Sequence, residues 1–506
     1  MKLAKKGDMM FKVGVMLVLL VLVSSCVLSP PVGKLTGTIH LEYQTDYSGI
    51  IVAIYDLVEL NSEIVSINQK YPQIGIQINQ HTEFDHRLQS PLYQTTTNSS
   101  GNFTFENVPV GEYNIVAIKD DFGFRYITEF SINDGDNHLH SIELYEEVQI
   151  YNGEIIEDIE ILPYHHLVLG IDTNVAPPVN FVIHPNAVVR IAPNSSLSIY
   201  GSLKMQGKQD SMFWITTNDG FSEEMIHYDN LSRYGQVILY AQNIENNVID
   251  WGKFGWANIG LFSDEVESLA KIENVIMGNV RHGTVINGGV DGLISFEFTN
   301  NIIESSSENL YNNFNSENVE EIICKNNIII NGWRGLQLKE SGVVQIYNNY
   351  FSKSGTAFEI SHMNSDSSQN MSCEISHNEI HNDGKGISFD DFEFGMIDAN
   401  IEYNDIFSDV CIYIHKSYTH VFFEIHKNNL NYNDNQANYS IHGAYGSQND
   451  IDASENCFIH VGSILTNEDM VANSIWDEND NNEYYWYPNV NYSNFLQKLE
   501  TDAGIE

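Results

Sequence analysis

At 506 residues the chain is too long for one ordinary compact core, so two or more domains, or one elongated repeat, are expected. A hydrophobic content of 42%, with 27 Tyr and 25 Phe, excludes wholesale disorder. With 68 acidic against 24 basic residues the formal charge is -44, a surface that repels phosphate backbones and argues against nucleic acid as a partner. Such a surface tolerates cations and neutral glycans and keeps copies apart, so a monomer is expected.

Lys2, Lys5, Lys6 and Lys12 precede an apolar run from Val13 to Val23. The run is too short to span a bilayer and fits the hydrophobic region of a signal peptide. It ends in Val23-Ser24-Ser25-Cys26, which resembles the bacterial lipobox. That resemblance implies that residues 1–26 are a lipoprotein signal peptide and that Cys26 is lipidated, becoming the first residue of the mature protein. Val27 rather than Asp follows, which by the same resemblance implies the outer membrane or cell surface of a Gram-negative source. Residues 27–32, with Ser29-Pro30-Pro31, read as a short extended tether. The other cysteines, Cys324, Cys373, Cys411 and Cys457, stand among apolar or strand-like residues. Disulfide-stapled secreted domains are denser in Cys, so these four read as buried free thiols.

Residues 33–146 predict a small antiparallel β-sandwich. Gly33 to Leu41 alternates, and Gly49 to Tyr55 is a second strand signal. Ser100-Gly101 and Pro109-Val110-Gly111 make turns; Phe103 and Phe105 share a strand face, as do Tyr113, Ile115 and Ala117. The run from Thr95 to Ala117 resembles the carboxypeptidase regulatory-like domain, a transthyretin-like sandwich. The resemblance implies a spacer or binding module without catalytic residues of its own. An insertion from about Leu57 to Leu92 departs from that family. It carries His81, Glu83, Asp85 and His86, but ligand types need fixed elements to converge them, so the segment reads as a polar loop and not a metal site.

From 150 to 495 one phrase recurs: an apolar residue, two variable positions, then Asn. It ends at Asn247, Asn274, Asn301, Asn327, Asn349, Asn378, Asn404, Asn428 and Asn456, with spacings of 27, 27, 26, 22, 29, 26, 24 and 28. A repeat of that length with several short strands predicts a solenoid. Leucine-rich repeats need a Leu scaffold that is absent, and no unit holds the 3.6 periodicity of a helical repeat. The pattern resembles the right-handed parallel β-helix of the pectate-lyase-like superfamily. Coils ~4.8 Å apart would stack the nine Asn into a structural column, each side chain bonding backbone or the next Asn. The apolar residues three before, Ile244, Phe298, Cys324, Ile346, Ile375, Ile401 and Ile425, predict an inner column; Lys271 breaks it, so the coil of Asn274 is expected to be slipped or bulged. Ser474 to Asp480 and Val490 to Leu496 resemble the closing segment of bacterial surface β-helices, leaving 496–506 as a tail. Asp477 to Asn482 lacks the Gly of an EF-hand and has Pro488 at the position of its Glu, so no calcium loop is read there.

Enzymes on this fold place acidic or basic residues side by side on an exposed strand face. Aligning the strand after each Asn predicts an outward column of Lys339, Ser361, Asp390, His415 and His442, and a neighbour of Glu340, His362, Asp391, Lys416 and Gly443. Asp390 and His415, one coil apart, suit general acid–base work or a cation, so Lys339, Asp390, His415 and His442 form the candidate catalytic set. The competing reading is a solvated edge. Hallmark phrases of polygalacturonase-type hydrolases are absent beyond Asp390-Asp391, and of six Arg only Arg334 lies near the face, where a pectate lyase would need a basic residue beside calcium ligands. No cofactor is called for; calcium would be tolerated, but no motif marks it. The expectation is an all-β, lipid-anchored protein of the cell envelope whose sandwich spaces a β-helix that binds carbohydrate or a surface partner. A polysaccharide lyase or glycoside hydrolase acting at that face is the alternative.

Overall fold

The computed structural model describes residues 31–506 apart from 151–152, 193–194, 219–234, 241–246, 256, 263–267, 281–283, 288–293, 306–311, 363–369, 393–395, 416–419, 434–438, 444–450 and 477–489. Cys26, Ile244, Lys416 and the segment from Asp477 to Asn482 lie outside the described residues. The chain forms two compact units. Of the described residues, one gathers 31–57 with Gln89–Lys119 and Phe124–Leu144; the other gathers Val58–Leu88, Asp120–Gly123 and those from Tyr145 to Glu506.

The first unit holds two small sheets. In one, Val32–Leu41 lies between Asn102–Pro109, antiparallel to it, and Gly135–Leu144, parallel to it. The parallel pair departs from the wholly antiparallel expectation, because the last strand returns after the chain has passed through the second sheet. That sheet runs in the order Tyr93–Thr96, Ile51–Tyr55, Gly111–Lys119, Gly123–Ile132. Phe103 and Phe105 are buried with ring centroids 5.9 Å apart, and Ile115 and Ala117 are fully enclosed.

The second unit is a right-handed parallel β-solenoid. Each coil supplies three strands, as in Glu321–Lys325, Ile328–Ile330 and Arg334–Lys339, and each strand pairs in parallel with its counterpart one coil on. These make a first, second and third wall. Side chains alternate in and out along each strand, and the inward ones fuse into one continuous apolar core. Along the first wall Ile249, Ile272, Phe298, Cys324, Ile346, Ile375, Ile401 and Ile425 are in register and buried. Cys324, Cys373, Cys411 and Cys457 are buried free thiols. Burial pushes the first three well above the ordinary thiol range and Cys457 up to about 11, so they stay protonated and serve as small apolar side chains.

At the corner between the first and second walls, Asn301, Asn327, Asn349, Asn378, Asn404, Asn428 and Asn456 form a buried ladder. The Oδ1 of each from Asn327 onward accepts the backbone N–H of the Asn one coil before it, at 2.8 to 3.0 Å. From Asn301 to Asn428 each Nδ2 donates to the next Oδ1 and to a first-wall carbonyl, as Asn349 does to Asn378 and Cys324; Asn456, the last, donates to carbonyls only. The left-handed turn itself falls on the preceding residue: Asn300, Asn326, Asn348, His377, Tyr403, Lys427 and Glu455. Two predicted members stand outside the ladder. Asn274 is itself the left-handed residue of its coil, and Val275 takes the ladder position, its N–H bonded to Asn301 Oδ1 at 2.9 Å. Asn247 pairs with Ala270 inside the first wall, ahead of the corner at Trp251. The register follows the buried Ile249 and Ile272, whereas Lys271 pairs with Glu273 at 2.8 Å on the outside.

The insertion is not a free polar loop: Val58–Leu88 packs against the second wall. Asn61 caps the helix Ser62–Lys70 by accepting the N–H groups of Glu63 and Ile64. Ile64, Ile67, Ile74 and Ile76 bury the outward-facing Ile276, Ile302, Ile328 and Ile330. Gly75 has φ +60, and a Cβ there would lie 2.8 Å from the Ile328 side chain. The histidine-rich stretch is absorbed by structure as well. Asp85 pairs with Arg87 at 2.7 Å, Arg87 donates to the Thr217 carbonyl, and Lys253 donates to the Phe84 carbonyl. Burial lowers the His86 pKa to about 4. Among the described residues no group of three or more His, Cys, Asp or Glu is placed to hold a metal. Nor is the end of the chain a loose tail. It straps back along the corner, with Asn429 bonded to Glu500 and the Gly504 N–H donating to the Tyr403 carbonyl.

Candidate functional site

The third wall carries the face where chemistry was expected. Leu336, Phe358, Ile387, Ile412, Ile441 and Ile475 are its aligned, buried inward residues. The adjoining column contains Gln337, Glu359, Ser388, Tyr413, His442 and Trp476. Two residues further along each strand, Lys339, Ser361 and Asp390 are in register. His415 continues that line: its N–H donates to the Phe389 carbonyl, and its Nδ1 lies 2.7 Å from Asp390 Oδ1.

Asp390 and His415 are therefore together, while Lys339 lies two coils away with Ser361 between. His442 does not belong to their column. It sits opposite Tyr413, because Ile441 pairs with Ile412 and not with Ile414. A slip of two residues preserves the in–out alternation, so the polar pattern alone does not detect it. The expected neighbouring column is broken too: the register shifts after Ser361, and His362 faces Phe392 instead of Asp391.

Four residues not among the predicted set complete the face. Lys385 lies over the Tyr413 ring, its Nζ 3.4 Å from the centroid and 3.9 Å from Asp390 Oδ2. Tyr413 stands edge-on to His442 at 4.9 Å, and Tyr439 edge-on to His442 at 5.4 Å. Trp476 lies 5.5 Å from Tyr439 and 6.0 Å from His442. Aligning Ile412 with Ile441 and Ile475 brings Tyr413, His442 and Trp476 together, since each isoleucine immediately precedes one of these rings. Farther along the face, Glu359 is matched by Arg334 at 2.7 Å and Gln337 at 2.9 Å.

Burial, then the charges of Lys385 and His415, lower the His442 pKa to about 4, so the ring is neutral at physiological pH. Next to it sit a cation, Lys385, and a carboxylate–imidazole pair. With the carboxylate on Nδ1, the opposite ring nitrogen, Nε2, is the one directed away from Asp390, the arrangement of an imidazole set up to exchange protons. The face thus combines flat apolar rings with both signs of charge across four coils. No protein-family model, curated protein or solved structure matches the chain.

Proposed function

We propose that the solenoid binds carbohydrate across the third wall, and that a lipid on Cys26 holds the protein at the cell envelope with the sandwich as spacer. The observation that carries this reading is the ring cluster of Tyr413, Tyr439, His442 and Trp476 beside Lys385 and the Asp390–His415 pair. Sugar rings stack their C–H faces on aromatic rings, while hydroxyls bond to the polar groups at the edge. A glycan array followed by titration calorimetry tests it. Tyr413→Ala combined with Trp476→Ala is expected to weaken binding by about tenfold or more. Binding unchanged in that double variant would remove the face as the site. Loss of the protein from the membrane fraction on Cys26→Ala is the matching check of the anchor.

The 2.7 Å Asp390–His415 contact favours a second reading, a polysaccharide lyase or glycoside hydrolase with His415 as proton acceptor or donor and Asp390 holding its ring. Release of unsaturated or reducing sugars should then fall by about a hundredfold or more in Asp390→Ala with His415→Ala. Undiminished release would dismiss the pair, and no release by the unaltered protein from a broad polysaccharide panel would dismiss the enzyme.

A further inference from the structure

We infer that a second site, at the corners of three early coils, binds a small hydroxylated anion through a carboxylate or phosphate group. It stands apart from the third-wall face and does not rest on its reading. The first-wall strands Ile159–Ile161, Asn180–Ile183 and Ser202–Gln206 pair in register, so the corners that follow them stack. The first two turn through left-handed residues, Tyr164 with φ 68 and Asn186 with φ 62. The third does not. After Gly207 the chain runs outward and is closed by paired backbone bonds between Lys208 and Ser211. Met212 then resumes the coil, accepting the Asn186 N–H at 3.2 Å. Gly207 sets the point of departure, since a Cβ there would lie 2.0 Å from the Trp251 carbonyl.

This outward turn raises a rim beside the stacked corners and leaves a concavity of about 540 Å³. Clefts of that size hold small organic ligands. Its lining includes Lys204, Lys208 and His184 and contains neither Asp nor Glu, in a chain with 68 acidic residues. Lys204 stands in register with Val182 on the outer face of the first wall, and Lys208 projects from the turn. Neither lysine is in an ion pair with a described residue. Of the neighbouring carboxylates, Glu160 is held by His184 Nε2 at 2.5 Å, and Asp210, exposed in the turn between Lys208 and Ser211, is not part of the lining. Two exposed ammonium groups line one depression whose own lining carries no carboxylate, and there they can meet an anion directly. Asn186, Gln206 and Ser211 supply neutral polar partners, and Pro163 and Pro185 supply flat apolar walls. That set suits an anionic group attached to a hydroxylated body.

Calorimetric titration of the full chain with gluconate, its uncharged counterpart sorbitol, and inorganic phosphate tests the inference. Gluconate or phosphate should bind, sorbitol should not, and added salt should weaken binding. Whichever anion binds more tightly identifies carboxylate or phosphate as the preferred group. Lys204→Gln with Lys208→Gln should reduce affinity by about tenfold or more, and Lys204→Arg with Lys208→Arg should retain it. Both lysines are exposed, so circular dichroism of the two double variants and the parent should superimpose. The site is refuted if neither anion binds at about 1 mM, if sorbitol binds equally well, or if the glutamine pair leaves affinity unchanged.

Discussion

Asn378→Asp is expected to destabilise the solenoid by about 3–5 kcal/mol, and more than Asn378→Ala does. Asn378 is fully buried. Its Nδ2 donates to the Ile346 and Ser376 carbonyls, each at 3.0 Å, and to Asn404 Oδ1 at 2.9 Å. Its Oδ1 accepts both the N–H and the Nδ2 of Asn349 at 3.0 Å. Alanine removes all five bonds. Asn404 Oδ1 keeps the Asn378 N–H and Asn349 Nδ2 keeps the Cys324 carbonyl, but the Asn349 N–H loses Asn378 Oδ1, at about 1–3 kcal/mol for a buried group left unsatisfied. Aspartate still accepts from Asn349, but it turns an acceptor, and at neutral pH a charge, toward three oxygens. A similar volume with the opposite polarity should therefore do the greater harm. In a stacked repeat each coil contacts its neighbours, so loosening should begin in the coils of Asn349, Asn378 and Asn404. Urea unfolding, with hydrogen exchange to locate the loosened coils, measures both effects. An aspartate variant as stable as the parent would show that the ladder does not hold the coils together.

The same ladder marks how far the sequence could be read. Its seven members were legible because a stacked corner repeats the same hydrogen bonds in every coil, and so demands the same side chain. Asn247 and Asn274 matched the phrase without occupying the position, since spacing was counted to an apolar residue whose burial is not written in the sequence: at Asn274 the inward residue is Ile272, not Lys271. The parallel solenoid and the Asp390–His415 contact followed from the repeat, because neighbouring coils bring residues 25 apart into contact. His442 was misplaced by a slip that two-residue alternation cannot reveal. Tyr413, Tyr439 and Trp476 were missed because attention to charge passes over rings, and their contact needs a register no single strand contains. The helix Ser62–Lys70 was hidden for another reason: its apolar stripe is short, and the isoleucines that cover it come from coils more than two hundred residues away.

That helix also carries a pH dependence. Glu379 projects from the second wall with a side chain 7% exposed, and Lys70 Nζ reaches its two oxygens at 3.0 and 2.9 Å. Tyr71 also hydrogen-bonds to it, and His381 Nε2 lies 2.9 Å away. Burial by itself would raise the Glu379 pKa, but the bonds from His381, Tyr71 and Lys70 together outweigh it and hold the value down to about 2. The unfolded carboxyl titrates near ~4.3, so folding lowers the pKa, and the stabilisation is complete above that pH. It fades as pH falls from there through about 2. A lowering of that size corresponds to roughly 3 kcal/mol. Asp405, in register one coil on, works the other way: burial and then the Glu379 charge raise its pKa, which offsets part of the gain. Glu379→Gln keeps the shape but removes the charge that Lys70 and Tyr71 meet. The variant should lose about 2–3 kcal/mol of local stability, seen as faster amide exchange in Ser62–Lys70 at neutral pH. The parent's protection of that helix should decline between about pH 4 and pH 2, while the variant's, already low, should decline by less, the remainder coming from Glu63, whose carboxylate is held by Lys353 at 2.8 Å and whose pKa is also lowered. Equal protection in the two proteins at neutral pH would mean that the isoleucine contacts alone keep the insertion docked.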